Sequence, residues 1–231
     1  MARPRRAMLL VVAAALLAGC TGSFCAAQVP GNLLQGDGGN GWASDADHSD
    51  ASPRSESAGL VVRQTRAYAD DGKGGNAGYP ASLVLTTLRL FPTPSEDKLR
   101  DILRQQVQER AASQGIKVDQ QSTGGARTLA DGHRSLFFVF TGTVNSTGPL
   151  FTTRDATAKI VGEVWNCPES GTSAVAVGFA QVTNTVRGPG GVPIQTNENT
   201  QNWRELVGDP SGSVEGQRAS DGLLYNVTCK C

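Results

Sequence analysis

Residues 93–115 read TPSEDKLRDILRQQVQERAASQG and carry the strongest local signal for secondary structure in the chain. Thr93 at the N-cap, Pro94 at the first helical position and Glu96 at the third helical position fit a capping box. Gly115 is a natural stop, and the apolar side chains between recur at helical spacing: Leu99, Ile102, Leu103, Val107 and Ala111. The pattern predicts one amphipathic helix, at about 94–114, whose apolar side lies on a sheet.

Segments typical of strands surround this helix. Asp131-Gly132 is a strong hairpin signal between residues 126–130 and 134–144. The second of these segments is apolar on both faces, which is typical of a central strand covered on one side by the helix; Leu136, Phe138 and Phe140 alternate there with Phe137 and Val139. Further strands are expected at 60–68, 82–91, 116–119, 153–165, 173–183 and 223–229, and a short helix at 200–207.

Small residues alternate along one of these segments, at Ala174, Ala176, Gly178 and Ala180, where they would let a helix approach the sheet closely. Strands that follow one another in hairpins around a single long helix argue against a doubly wound parallel sheet. The sequence therefore predicts an α+β fold. It consists of an antiparallel sheet of five to seven strands with one main amphipathic helix on a face.

The first twenty residues carry a different kind of signal. A basic head is followed by an apolar run at 7–18, which is typical of a secretory signal and too short to span a bilayer. Leu17-Ala18-Gly19-Cys20 resembles the lipobox of prokaryotic lipoproteins, in which the cysteine sulfur receives a diacylglyceryl group and the chain is cut before it. The resemblance implies a signal peptide at 1–19, lipid on Cys20 and an extracytoplasmic, membrane-anchored protein. The alternative is an ordinary secretory signal that is cut later, for example after Ala27.

Residues 20–57 are interpreted as the lipidated N-terminus and a flexible acidic tether, and residues 58–231 as one domain. Residues 28–57 hold five acidic residues against Arg54 alone and are rich in Gly, Asp, Asn and Ser. Trp42 and Leu33-Leu34 are exceptions that could dock on the domain or on a partner. Because the remaining residues are close to neutral, no basic stripe exists for nucleic acid.

The chain has five cysteines: Cys20, Cys25, Cys167, Cys229 and Cys231. With Cys20 lipidated, four remain in an oxidising compartment, and four allow three pairings. A Cys167–Cys229 or Cys167–Cys231 disulfide would fasten the C-terminal strand to the sheet, and Cys25 could take the remaining partner. The alternative is a thiol-redox or soft-metal site formed by Cys167, Cys229 and Cys231, in which Lys230 favours the thiolate. Against that alternative, the sequence has no Cys-x-x-Cys and no histidine near these cysteines.

Catalytic signals are weak. A hydrolase would have to use His133, because the only other histidine is His48 in the predicted tether, and no Gly-x-Ser-x-Gly motif is present. The long loop predicted at 184–199 is the first candidate for a binding surface. No cofactor or metal is predicted. The sequence favours a lipid-anchored cell-envelope protein that binds an envelope protein or a small ligand, or serves a structural role, over an enzyme.

Overall fold

One antiparallel sheet of nine strands dominates the computed structural model, which describes residues 24–34, 41–56, 61–70, 79–90, 93–147, 153–208 and 222–229. The strands are β1 (Trp42–Asp45), β2 (Arg54–Glu56), β3 (Val61–Asp70), β4 (Ala81–Leu90), β5 (Lys117–Thr128), β6 (Arg134–Thr147), β7 (Thr153–Cys167), β8 (Thr172–Arg187) and β9 (Pro193–Glu198). The helices are α1 (Glu96–Ser113) and α2 (Gln201–Val207). The predicted α+β class and antiparallel sheet are confirmed, but the strands outnumber the five to seven expected.

The strand order is β1-β3-β4-β8-β7-β6-β5, while β2 pairs with β3 and β9 with β8. The hairpin predicted at Asp131-Gly132 forms between β5 and β6. Strand β8 is central because it hydrogen-bonds to β4, β7 and β9. The segments expected at 116–119 and 126–130 are one strand, β5. Two register shifts along β5 accommodate the polar stretch between them.

Two predictions for single segments are wrong. The expected loop at 184–199 is the end of β8 and all of β9, whose six residues are exposed, so no apolar alternation marks it as a strand. The expected strand at 223–229 is a turn followed by an isolated bridge between Thr228 and Gln28. In this turn the neighbouring residues Leu223 and Leu224 are both fully buried.

The main helix forms as predicted, with its start displaced. Ser95 rather than Thr93 is the N-cap, and its hydroxyl accepts a hydrogen bond from the Lys98 amide at 3.4 Å. Both residues are good N-caps, and Ser95 places Glu96 and Asp97 in the first turn, where the helix dipole favours acidic side chains. Gly115 lies just beyond the C-terminus with φ of 69°, as expected for a left-handed stop.

Helix α1 packs on the face formed by β7, β8 and the start of β5, called here the helix-side face. Its buried residues are Leu99, Leu103, Val107 and Ala111. Gly162 in β7 permits the close approach, since a Cβ there would lie 2.8 Å from Val107 and 2.9 Å from Leu103. The apolar residues of β6 divide between the two faces as predicted, Phe138 with the helix and Phe137 in the other core cluster.

The opposite face is covered by α2, by residues 223–227 and by the N-terminal segment. The small residues of β8 lie on this face, where a Cβ on Gly178 would be 2.8 Å from Leu206. A helix therefore approaches them closely, as expected, but it is the short α2. Neither helix of the described residues has the length and hydropathy needed to cross a bilayer.

Parts of the predicted tether are also packed on the opposite face. The Ala27 and Val29 amides donate to the Thr87 hydroxyl at 2.8 Å and the Tyr68 hydroxyl at 3.2 Å. Trp42 is 0% exposed and donates its indole N–H to Glu205 Oε2 at 3.2 Å. The segment thus contains ordered strands and core residues, because its few apolar side chains insert into the domain even though its composition is polar.

Candidate functional site

The disulfide between Cys167 and Cys229 lies where β7 ends, and its Cα atoms are 6.1 Å apart. This is one of the two Cys167 pairings that the sequence analysis favoured. The Trp165 indole N–H points at Cys229 Sγ at 3.1 Å. The bond joins the C-terminal segment, which carries the buried Leu223, Leu224 and Val227, to the middle of the sheet.

Of the other candidate cysteines, one lies within the described residues and two lie outside them. Cys25 is buried and disulfide-bonded, with a partner other than Cys167 or Cys229. Cys20, Cys231 and Lys230 lie outside the described residues. If Cys20 carries lipid, Cys231 is the only cysteine left to pair with Cys25.

His133 stands beside this disulfide. The ligand atoms of Asp131, His133 and Cys229 all lie within 4.8 Å of one another. His133 Nε2 is 3.2 Å from Glu169 Oε2, and Nδ1 is 2.8 Å from Asp131 Oδ2. Asp131, His133, Glu169 and the Cys167–Cys229 disulfide are called here the disulfide cluster.

The two carboxylates control the protonation of the imidazole. Burial by itself would lower the pKa of His133, but the hydrogen bonds and negative charges of Asp131 and Glu169 together outweigh burial and raise that pKa above its usual value. The pKa of Glu169 is lowered, first by its own backbone amide and then by His133. The two carboxylates therefore shift the protonation equilibrium of His133 toward the imidazolium form.

The arrangement does not resemble a nucleophile activated by a base. Within the described part of the chain, the ring nitrogens of His133 face only carboxylates, with no serine or threonine hydroxyl in hydrogen-bond contact. Instead, the fold places a histidine beside the cysteines, whereas the sequence had separated them. The register could have shown this, because Ser135 pairs with Trp165 and so brings the turn at Asp131-Gly132 next to Cys167.

A cleft of about 500 Å³ opens on the helix-side face, near the C-terminal end of α1. It exists because α1 packs mainly on β7 and β8 and leaves the same face of β3 and β4 uncovered there. Its floor is apolar, and it is formed by Val84, Ala111, Ile116, Ile160, Val177 and Phe179. The sequence did not predict this cleft, because local patterns do not show where a helix leaves a sheet uncovered.

Polar side chains surround the mouth of the cleft. On one side, Asp45 of β1 and His48 of the turn after it are in contact, with 2.7 Å between Asp45 Oδ2 and His48 Nδ1. Arg110 of α1 lies on the other side and forms no salt bridge with any residue that the structure describes. The cleft thus combines an apolar floor with a cation and hydrogen-bonding groups at its entrance.

One further ionic group is fully enclosed. Glu163 in β7 is 0% exposed and receives two hydrogen bonds from Arg127 of β5, at 2.8 and 2.5 Å. The Ser135 hydroxyl of β6 donates to the same carboxylate at 2.5 Å. Because the pair is enclosed and neither lines the cleft nor belongs to the disulfide cluster, it is interpreted as structural.

Comparisons with known proteins found no matching protein family, no matching curated protein and no matching solved structure.

Proposed function

We propose that this protein is an extracytoplasmic binding protein, anchored to a membrane by lipid on Cys20, that takes a small amphiphilic ligand into the cleft beside α1. The observation that carries the proposal is the cleft itself. Its volume of about 500 Å³ lies within the roughly 300–1,000 Å³ of small-molecule sites. An apolar floor with a few polar groups at the mouth is the usual composition of such sites.

The lining indicates the class of ligand. Val177 and Phe179 of β8 and Val84 of β4 offer apolar contact but no hydrogen bonds, so the ligand needs an apolar body. Arg110 at the mouth would pair with an anionic head group, and a guanidinium binds a carboxylate or phosphate through two hydrogen bonds. An acyl chain with a carboxylate head satisfies both requirements.

The cleft is tested with a dansyl-labelled fatty acid and the purified full chain. Dansyl emission is expected to rise on binding, and Val84→Trp, which fills the cleft, is expected to weaken binding at least about tenfold through lost apolar contact. Val192→Trp is the matched control, because Val192 is 64% exposed and does not line the cleft. Absence of binding to the native chain, or equal binding by both variants, would contradict the proposed site.

The position of the N-terminal segment supports the lipid anchor over a later cut. Cleavage after Ala27 would remove Cys25, Ala26 and Ala27 from the fold, although all three are buried and Cys25 is disulfide-bonded. Cleavage before Cys20 keeps them. More than one lipid chain is needed for stable attachment, which a diacylglyceryl group provides.

The anchor predicts a definite mass and location. Intact mass spectrometry of protein from the native membrane fraction should show an N-terminal Cys20 with acyl mass, and Cys20→Ser should release the chain from that fraction. A native chain that begins at Gln28 without lipid would replace the anchor with plain secretion. That result would leave the cleft proposal standing, because the two experiments are independent.

A further inference from the structure

The disulfide cluster brings together four potential metal-ligand atoms, of which the two sulfurs are bonded to each other. An imidazole nitrogen, a carboxylate oxygen and Cys229 Sγ lie within 4.8 Å of one another, and Cys167 Sγ is bonded to that sulfur. Nitrogen, oxygen and two sulfurs are the donor types of tetrahedral zinc sites. In the disulfide, however, neither sulfur is a thiolate, and the thiolate is the form that binds metal.

The hydrogen bonds around His133 suit a ligand. Metal-binding histidines usually donate the second ring N–H to a carboxylate, which fixes the ring and leaves the other nitrogen for the metal. Glu169 is placed to accept from Nε2 at 3.2 Å. Nδ1 is buried and lies 2.8 Å from Asp131 Oδ2, so a nitrogen and an oxygen donor stand side by side.

We propose that reduction of the Cys167–Cys229 disulfide opens a zinc site formed by Cys167, Cys229, His133 and Asp131. A dithiol reductant supplies two electrons and two protons, so the S–S bond breaks, two thiols form and the dithiol becomes a disulfide. Zn²⁺ then displaces the two thiol protons and binds both thiolates. The oxidised chain holds no metal, and the reduced chain holds one ion.

One neighbouring side chain favours a negative charge on Cys229, and a tight turn holds two of the ligands close together. The Trp165 indole N–H already points at Cys229 Sγ at 3.1 Å, and this hydrogen bond strengthens when the sulfur becomes negative. Asp131 and His133 lie at either side of a tight turn in which the Asp131 carboxylate also accepts from the His133 amide at 3.1 Å. Two of the four ligands are thus held close together before metal arrives.

Co²⁺ serves as a spectroscopic substitute for Zn²⁺ in the test. The full chain is titrated with Co²⁺ before and after reduction by a phosphine. We expect no thiolate-to-cobalt charge-transfer band before reduction and a band that saturates near one equivalent after it. His133→Ala should weaken binding by at least about tenfold and alter the ligand-field spectrum, because a ligand is lost.

His48→Ala is the matched control, because His48 and Asp45 form the same imidazole–carboxylate contact, at 2.7 Å, outside the cluster. It also controls for metal held by the other reduced cysteines, whose contribution would be equal in both variants. Equal binding by His133→Ala and His48→Ala would overturn the proposal. So would a reduced chain that binds no Co²⁺, whether it keeps its fold by circular dichroism or loses it.

Discussion

Arg127→Met is expected to lower the free energy of unfolding by about 3–5 kcal/mol, because it leaves the Glu163 carboxylate enclosed without a countercharge. Glu163 is 0% exposed and, among the described residues, would keep only the hydrogen bond from the Ser135 hydroxyl. An isolated buried charge must either stay ionised at a large cost in solvation or take up a proton. Urea denaturation at neutral pH, followed by circular dichroism, measures the loss.

The double variant Arg127→Met/Glu163→Met distinguishes the net contribution of the ion pair to stability from the cost of leaving Glu163 unpaired. Replacing both charges with apolar side chains of similar length should restore most of the lost stability. Arg100→Met is the matched control on the surface. Arg100 pairs with Glu96 at 2.8 Å in the first turns of α1, both side chains are partly exposed, and its loss should cost less than about 1 kcal/mol. If Arg127→Met cost no more than Arg100→Met, the Glu163 carboxylate would not be enclosed as described.

The position of this pair suggests why the fold keeps it. Arg127 lies on β5 and Glu163 on β7, so the pair passes over β6 and contacts Ser135 between them. Strand β5 has two register shifts against β6, and a slip by one residue would turn its side chains to the wrong face. We infer that the ion pair fixes the register of three strands where the apolar pattern of β5 is weak.

The sequence was informative wherever a local pattern decided the structure. Helix α1 follows from its apolar spacing and its stop at Gly115, and the β5–β6 hairpin follows from Asp131-Gly132 and the strand patterns on either side of it. The predictions fail where contacts between residues far apart in the sequence determine the structure. Strand β1 forms because Trp42 reaches Glu205, 163 residues away, and β9 forms because the end of β8 offers it a partner. No short-range pattern contains those contacts.

The candidate sites also combine features that the local sequence predicts with features that depend on distant contacts. Cysteine spacing and the ends of predicted strands were sufficient to propose Cys167–Cys229, and the rarity of histidine singled out His133. Their meeting depends on the pairing of β6 with β7, which the sequence suggests only after the hairpins are assembled. The cleft depends on where α1 lies across β7 and β8, and helix periodicity does not specify that position.

Removing the Cys167–Cys229 disulfide is expected to lower the free energy of unfolding by about 2–4 kcal/mol. The cysteines are 62 residues apart, so the bond restricts a long loop of the unfolded chain, which places the loss toward the upper end of that range. The variant Cys167→Ser/Cys229→Ser is preferred to chemical reduction, because it leaves the disulfide of Cys25 in place. Urea denaturation again measures the loss.

The dependence of the unfolding free energy on urea concentration shows whether the disulfide acts on the unfolded chain. Because the bond chiefly restrains the unfolded chain, its removal should also raise the slope of unfolding free energy against urea concentration, as a looser unfolded state exposes more surface. The buried Leu223, Leu224 and Val227 should hold the C-terminal segment on the sheet at zero denaturant, so native circular dichroism should persist. A loss below about 1 kcal/mol with an unchanged slope would contradict a structural role. The disulfide would then contribute little to the stability of the folded chain.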